Sequence, residues 1–320
     1  MVGYEDVVKA KERIGKYISE TPLDYSMGLS DDSTNVFLKL ESQQKQKAFK
    51  VRGALSKLSS LTDEEKIKGV VAVSSGNHGA GVSYAAYLLG IRIAKVFVPE
   101  TAPKAKVDRI RHYGAEVVQV GRNYDEAHAI AMDEIKKFDM TYIDSCSDEQ
   151  LIAGQGTVGL EIMRQNPEID IILVPIGGGG LITGVSIAAK HMRPDVRIVG
   201  VQTAACPAMV KSLEDNTLYE EFPSEDSICD ALIGGVTEIP FKMAKACIDD
   251  ILVVKETTIR RATGYLLTEE KVVTEPSGAI GVAALMENPE YFNGKQVAIV
   301  ITGGNLDASL MRELLNSSDD

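Results

Sequence analysis

The chain has no tryptophan, and only four cysteines and four histidines are spread over its 320 residues. No two of Cys146, Cys206, Cys229 and Cys247 stand at CxxC spacing. That sparsity excludes a disulfide-stapled scaffold and leads us to expect free thiols in a reducing cytoplasm. His112, His128 and His191 fall in helical patterns without ligand spacing, so they are expected at the surface. Positive charge is also in deficit: 34 Lys and Arg stand against 46 Asp and Glu, for a net charge of -12. Nucleic acid and anionic membrane surfaces need basic patches and are not the expected partners. A small anionic ligand stays open, because local backbone amides bind one inside an acidic protein. The opening "MVGYEDVVKAKERIGKYISETP" lacks the apolar core of a signal peptide. The one charge-free stretch near membrane-span length runs from Ile171 up to Lys190. Its glycines and Pro175 make it a buried strand, loop and helix rather than a span.

What is present is an α/β alternation. Buried β-branched runs ("GVVAVSS", "IRIAKVFVP", "AEVVQV", "TYID", "IDIILVPI", "RIVGVQ", "KQVAIVIT") alternate with amphipathic patterns. The helices read as "GVSYAAYLLG", "KAKVDRIRHYG" closing at Gly114, "YDEAHAIAMDEIKKF" and a stretch around 148–165. Thr62 and Glu65 form a capping box for a helix that Gly69 ends. Such alternation predicts parallel sheets covered by helices. The strands are too unevenly spaced to tell one sheet from two. The length is a soft prior for two domains. The acidic tail "NSSDD" reads as a solvated end.

Three strand ends carry small, amide-rich loops: "SSGNHG" at 74–79, "GGGG" at 177–180 and "TGGN" at 302–305. In α/β folds ligands sit beyond the carboxyl ends of strands, so three such loops suggest one shared site. The four glycines precede a helix expected to begin near Leu181, where outward amides and the helix dipole favour a phosphate. A tight turn or close strand–helix packing explains such a run equally well. Two nucleotide fingerprints fail. GxGxxG from Gly177 or Gly178 meets Ile182 or Thr183, and a P-loop from Gly179 meets Val185 where lysine is required. A nucleotide-dependent oxidoreductase is disfavoured for that reason.

A phosphate-bearing cofactor for amino-acid chemistry is pyridoxal 5′-phosphate, which needs a lysine, a ring-nitrogen partner and a phenolic-oxygen partner. In "KAFKVRGA", Lys50 lies between Phe49 and Val51, an apolar setting that favours a nucleophilic amine. Alone, a lysine is most often a surface residue. The weight rests on Lys50 together with the three loops.

The motifs "KAFKVRGA", "SSGNHGAG", "AGQGTVGLEI", "PIGGGGLITG", "VVTEPSGAIGVAAL" and "ITGGNLD" carry a resemblance over about residues 5–315. In this order the chain resembles the fold type II, tryptophan-synthase-like pyridoxal-phosphate enzymes. Within them it is similar to the serine/threonine dehydratases and serine racemases. The resemblance implies two open α/β domains with mostly parallel sheets and the cofactor in the cleft between them. Residues 1–69 and 146–320 would form the large cofactor-anchoring domain, and 70–145 a small mobile substrate-side domain. Lys50 matches the Schiff-base lysine and Phe49 the aromatic beside the ring. Asn77 matches the partner of the phenolic oxygen, and Gly177, Gly178, Gly179, Gly180 and Leu181 match the phosphate loop. Thr302 stands where a serine usually faces the pyridine nitrogen. Ser74, Ser75, Gly76, Asn77 and His78 match the loop that receives the substrate carboxylate. Ser75 also matches the racemases' second acid/base, where many dehydratases have alanine.

There are departures. Ala48 replaces a serine, Asp230-Ala231 stands for an Asp-Gly, and Gln202 replaces a glutamate metal ligand; no metal is therefore expected. The chain ends near its last helix, so no regulatory C-terminal domain is expected. The expected activity is deamination of L-threonine or L-serine to a 2-keto acid and ammonia, with Lys50 as the base at Cα. The alternatives are a serine racemase, a lyase for hydroxyaspartate or another β-substituted amino acid, and a catalytically silent cofactor-binding protein. The family likeness implies a homodimer or homotetramer. His78 is expected as a helix N-terminal donor rather than a base. Glu275 in "TEPSGA" either favours a helix start or lies near the cofactor.

Overall fold

The computed structural model describes residues 1–316; residues 317–320, most of the acidic tail, lie outside the described residues. In chain order the elements are α1 (Tyr4–Ile14), β1 (Leu23–Tyr25), β2 (Asn35–Leu40), α2 (Lys50–Ser60), α3 (Asp63–Lys68), β3 (Val70–Val73), α4 (Asn77–Leu89) and β4 (Ala94–Val98). There follow α5 (Lys104–Arg111), β5 (Glu116–Gln119), α6 (Tyr124–Phe138), β6 (Thr141–Tyr142), α7 (Glu149–Gln165), β7 (Ile171–Pro175), α8 (Gly180–Met192) and β8 (Arg197–Thr203). The last are α9 (Ala208–Glu214), α10 (Glu238–Cys247), β9 (Asp250–Val254), α11 (Glu256–Thr268), α12 (Pro276–Glu287), β10 (Gln296–Ile301) and α13 (Ala308–Asn316).

The strands form two sheets. A six-stranded sheet has the order β1-β2-β10-β7-β8-β9, and a four-stranded sheet the order β5-β4-β3-β6. All pairings are parallel except β1 with β2. Both sheets need helices on their faces, which is why β3 and β7 read as unbroken apolar runs and are buried at every residue. The capping box of Thr62 and Glu65 forms, and Gly69 ends α3 at φ 95°.

Two helix boundaries differ from the sequence expectation. α5 closes on His112, and Gly114 instead makes a separate turn at φ 85°. α4 begins at Asn77, so Asn77 and His78 lie in its first turn rather than in a loop before it. Gly79 permits the early start, since a Cβ there would lie 2.2 Å from the Ser74 carbonyl oxygen.

Helices α2, α7 and α8 pack behind the site, and glycine sets their spacing. A Cβ on Gly184 would lie 2.4 Å from the Ile152 carbonyl oxygen, and one on Gly159 would lie 2.5 Å from that of Val185. So "AGQGTVGLEI" and "LITG" are steric motifs that let α7 and α8 approach backbone to backbone. A buried ionic cluster pins α2 beside them. The Arg52 guanidinium bonds both oxygens of Glu41 at 2.7 Å and both of Glu161 at 2.8 Å. Lys39 reaches Glu161 at 2.9 Å and Lys11 reaches it at 2.8 Å. Burial works against the Glu161 carboxylate, yet Arg52 and the two lysines outweigh it and hold its pKa down at about 2.

Candidate active site

Lys50 opens α2, and the segment before it is stitched to the end of β10. Ala48 bridges Gly303, the Phe49 amide donates to the Thr302 carbonyl at 3.1 Å, and the Gly304 amide donates to that of Lys47 at 2.8 Å. This stitching joins the lysine segment to the sequence-predicted loop at 302–305. The half-buried Lys50 Nζ donates to the Ser145 carbonyl at 2.8 Å and lies 3.7 Å from Cys146 Sγ. The Phe49 ring centroid is 5.4 Å from Nζ. No carboxylate among the described residues forms an ion pair with Lys50, so its amine is available to chemistry.

The glycine loop follows β7. Gly179 takes φ 96°, in the left-handed region, and precedes the first turn of α8. A Cβ on Gly178 would lie 2.9 Å from Cys146 Sγ, and one on Gly180 would lie 2.7 Å from the Cys146 carbonyl oxygen. Cys146 thus touches both the lysine and the glycine loop. Sequence reasoning missed it, because nothing about a lone cysteine after β6 marks it. The amides that open α8 have no intrahelical acceptor and face outward at the positive end of a helix dipole. Bare backbone, outward amides and a nearby uncommitted lysine fit a phosphate-bearing aldehyde cofactor. Thr302 fits the remaining role: its buried hydroxyl has only the Ser277 carbonyl near, at 3.5 Å, and the Ser277 hydroxyl itself is buried without a partner. Among the described residues the Thr302 hydroxyl forms no hydrogen bond with a charged side chain, so a ring nitrogen placed there would meet a neutral neighbour.

At the start of α4, the Ser74 hydroxyl accepts from the Gly76 amide at 3.1 Å. The Ser75 hydroxyl makes no hydrogen bond to the described residues and is half-buried. His78 is buried, and its Nε2 lies 2.9 Å from the Ile143 carbonyl. Burial, then the charge of Lys50, push the imidazole down to about 4. His78 is therefore neutral and donates through Nε2, tying α4 to the segment that presents Ser145 and Cys146. Asn77 Nδ2 donates to Glu275 Oε1 at 2.8 Å. A Cβ on Gly303 would lie 3.3 Å from Asn77 Nδ2, which brings the third loop to the same place. Glu275 stands at the N-cap position of α12, where its side chain makes no capping hydrogen bond and instead accepts from Asn77. Gln202 uses its carbonyl oxygen to accept the Met209 and Val210 amides, capping α9.

The pyridoxal-phosphate dependent enzyme family model matches residues 14–303. The chain belongs to that family. It is 39% identical over 318 residues to an L-threonine ammonia-lyase of Thermotoga maritima, covering 99% of this chain and 79% of that protein. Among solved structures it is similar to threonine deaminase isoform 2 from Solanum lycopersicum, at a TM-score of 0.92 and 31% identity, covering 99% of this chain and 87% of that one. It is also similar to maize serine racemase, at a TM-score of 0.91 and 32% identity, covering 99% and 97%. Pyridoxal phosphate is the cofactor of this family, and the glycine loop, Lys50 and Thr302 provide a site of matching chemistry.

Proposed function

We propose that the protein is a lyase that deaminates L-threonine or L-serine to a 2-keto acid and ammonia. The observation that carries the reading is the placement of Lys50: an amine without a carboxylate partner, set between the glycine loop and the start of α4. The relatives named as threonine ammonia-lyase and threonine deaminase support it. The cofactor, when bound, supplies an electron sink for the bond to be broken at Cα. Lys50 would hold the cofactor and, once its amine is free, its Nζ would take the Cα proton. The amides of Ser74 to His78 hold the substrate carboxylate at the positive end of α4. The glycine loop and Leu181 would hold the phosphate, Phe49 would flank the ring, and Asn77 and Thr302 would meet its two polar edges. Neutral His78 keeps the Ser145 segment, and with it the lysine, in register.

Residues 70–145 act in this reading as the mobile substrate-side unit and the remainder as the anchor. The contiguous four-stranded sheet supports that division. Among the described residues no helix is long and apolar enough to cross a membrane. Free cysteines suit a cytoplasmic enzyme, and a homodimer or homotetramer is the assembly proposed.

A second reading, serine racemisation, has one observation in its favour: the Ser75 hydroxyl is not engaged within its own loop, so it is free to act on the face opposite Lys50. Keto-acid release and chiral analysis of serine, on a panel of L- and D-β-hydroxy amino acids, test both. Keto acid from L-threonine or L-serine supports the lyase. Binding of cofactor without turnover of any member of the panel overturns it.

A further inference from the structure

Glu275, buried at the N-terminus of α12, is a carboxylate bonded to the Asn77 side chain, and no role in the reaction has been assigned to it so far. Its Oε1 accepts from Asn77 Nδ2 at 2.8 Å. Asn77 Oδ1 in turn accepts from Asn305 Nδ2 at 2.6 Å, and the same Asn305 nitrogen donates to the Gln46 carbonyl at 3.0 Å. The chain of bonds is thus Gln46 oxygen, Asn305, Asn77, Glu275.

Its two ends decide its direction. A backbone carbonyl only accepts, so Asn305 must turn its amino group toward Gln46. The second hydrogen of that amino group then requires an oxygen from Asn77. An ionised carboxylate also only accepts, so Glu275 requires the amino group of Asn77. Both constraints select the same orientation of the Asn77 amide. One N–H of Asn77 is left over, and in the proposed reading it meets the phenolic oxygen of the cofactor. With the opposite orientation that oxygen would meet a carbonyl.

We propose that Glu275 is the positioning residue for Asn77: its carboxylate fixes which end of the Asn77 amide is presented to the cofactor. The inference rests on the reading that Asn77 faces the phenolic oxygen. Space reinforces it, because a Cβ on Gly303 would lie 2.4 Å from Glu275 Oε1, so bare backbone is required beside the carboxylate.

The groups around Glu275 make its charge sensitive to pH. Burial, then the negative charge of Asp230, push its carboxyl up to about 7, against the Asn77 bond, the Lys106 ammonium and the Asn305 backbone. Lys106 is itself paired with Asp230 at 3.0 Å. When protonated, Glu275 gains a donor and its demand for an amino group is relaxed.

The test uses the cofactor-loaded protein labelled with 15N-asparagine, with the Asn77 side-chain amide resonances assigned by their loss in Asn77→Ala. In wild type these resonances are expected to shift with a single inflection near neutral pH, and in Glu275→Gln the inflection is lost. The visible absorbance reports in parallel. Glu275→Gln is expected to move the bound cofactor several-fold toward the form whose proton sits on the phenolic oxygen, with a flat pH profile. Wild-type Asn77 resonances that stay fixed from about pH 5.5 to 8.5 overturn the proposal without any need for a variant to fold. So does a Glu275→Gln protein with wild-type resonances and spectrum. If Asn77→Ala leaves the cofactor spectrum unchanged, the placement of Asn77 itself fails. If Asn77→Ala changes the spectrum and Glu275→Gln does not, only the role of Glu275 fails.

Discussion

Lys50 is held by a backbone carbonyl and not by a carboxylate, and that choice matters at the residue scale. A paired ammonium would be fixed as a cation, whereas the Ser145 carbonyl orients the amine without adding a counter-charge. Lys50→Ala is expected to abolish covalent capture of the cofactor. Borohydride reduction followed by peptide mass mapping checks this. Recovery of the label on another lysine, such as Lys57 or Lys95, would contradict the assignment. Ser75 divides the two enzyme readings. Removing a proton from an L-substrate needs one base, so Ser75→Ala should leave L-serine or L-threonine elimination within roughly tenfold, about 1.4 kcal/mol of barrier. The same change should remove serine racemisation and any turnover of D-serine. Loss of L-substrate elimination with the cofactor still bound would show that the work of Lys50 and Ser75 has been divided wrongly. The lysine and the glycines were legible in the sequence because each stands inside a motif with neighbours of unusual composition. The parts played by Cys146, Asn305 and Ser277 were not, because contacts between residues 25 to 259 positions apart leave no local pattern. Glu275 was half legible: "TEPSGA" marks a helix start, and only the folded chain shows its bond to Asn77.

At the scale of elements, the start of α8 and the start of α2 are held by opposite means. α8 relies on absent side chains. Gly180→Ala would drive a Cβ to within 2.7 Å of the Cys146 backbone, and we expect a loss of about 1–3 kcal/mol by overpacking. Cofactor affinity should weaken in parallel, because the amides at that helix start would shift. Denaturant midpoints with and without cofactor measure the two effects separately. An unchanged midpoint would show that the Cys146 segment yields freely. α2 relies instead on charge. Arg52→Met leaves Glu41 and Glu161 buried without their main partner, so about 3–5 kcal/mol should be lost. A loss under about 1 kcal/mol, the range of surface pairs, would mean that Lys39 and Lys11 suffice. The arginine next to the "KAFK" motif gave no hint of this burial, since arginine is rarely fully buried. Amphipathic α6 was legible to the residue, because its polar and apolar faces alternate with helical period. β1, β2 and β9 were missed: β1 has only three residues, β9 is an edge strand with no buried residue before Val254, and the apolar run of β2, an inner strand, is broken by Lys39, which only the fold shows to be buried.

For the whole molecule, the acid limb of stability depends on three buried groups whose signs differ. His78 is pushed from 6.5 to about 4, so stability is lost as pH falls through that interval. Glu275 is raised from 4.5 to about 7, so it contributes stability that is lost as pH rises through that interval. The two oppose each other and should nearly cancel between pH 6.5 and 4.5. Glu161, held down from 4.5 to about 2, has no such opponent, so its contribution disappears as pH falls below 4.5. Denaturant midpoints against pH should therefore stay level down to about 4.5 and then fall steeply. A steady decline beginning near 6.5 would mean that Glu275 does not hold its proton in the folded state. The α/β class was legible from the alternation, but the number of sheets was not, because periodicity describes one strand at a time and says nothing of its neighbours.

That order of neighbours governs when the fold can form. β10 is the last strand made among the described residues, yet it lies between β2 and β7 and pairs with both. Until Gln296–Ile301 leaves the ribosome, the larger sheet is two separated pieces with open edges, while the smaller sheet needs only the continuous stretch from Val70 to Tyr142. The growing chain should therefore carry a finished small sheet while the half that holds the glycine loop waits for its central strand. Polypeptides interrupted before β10 would expose two long apolar edges and would fall to aggregation or to chaperones.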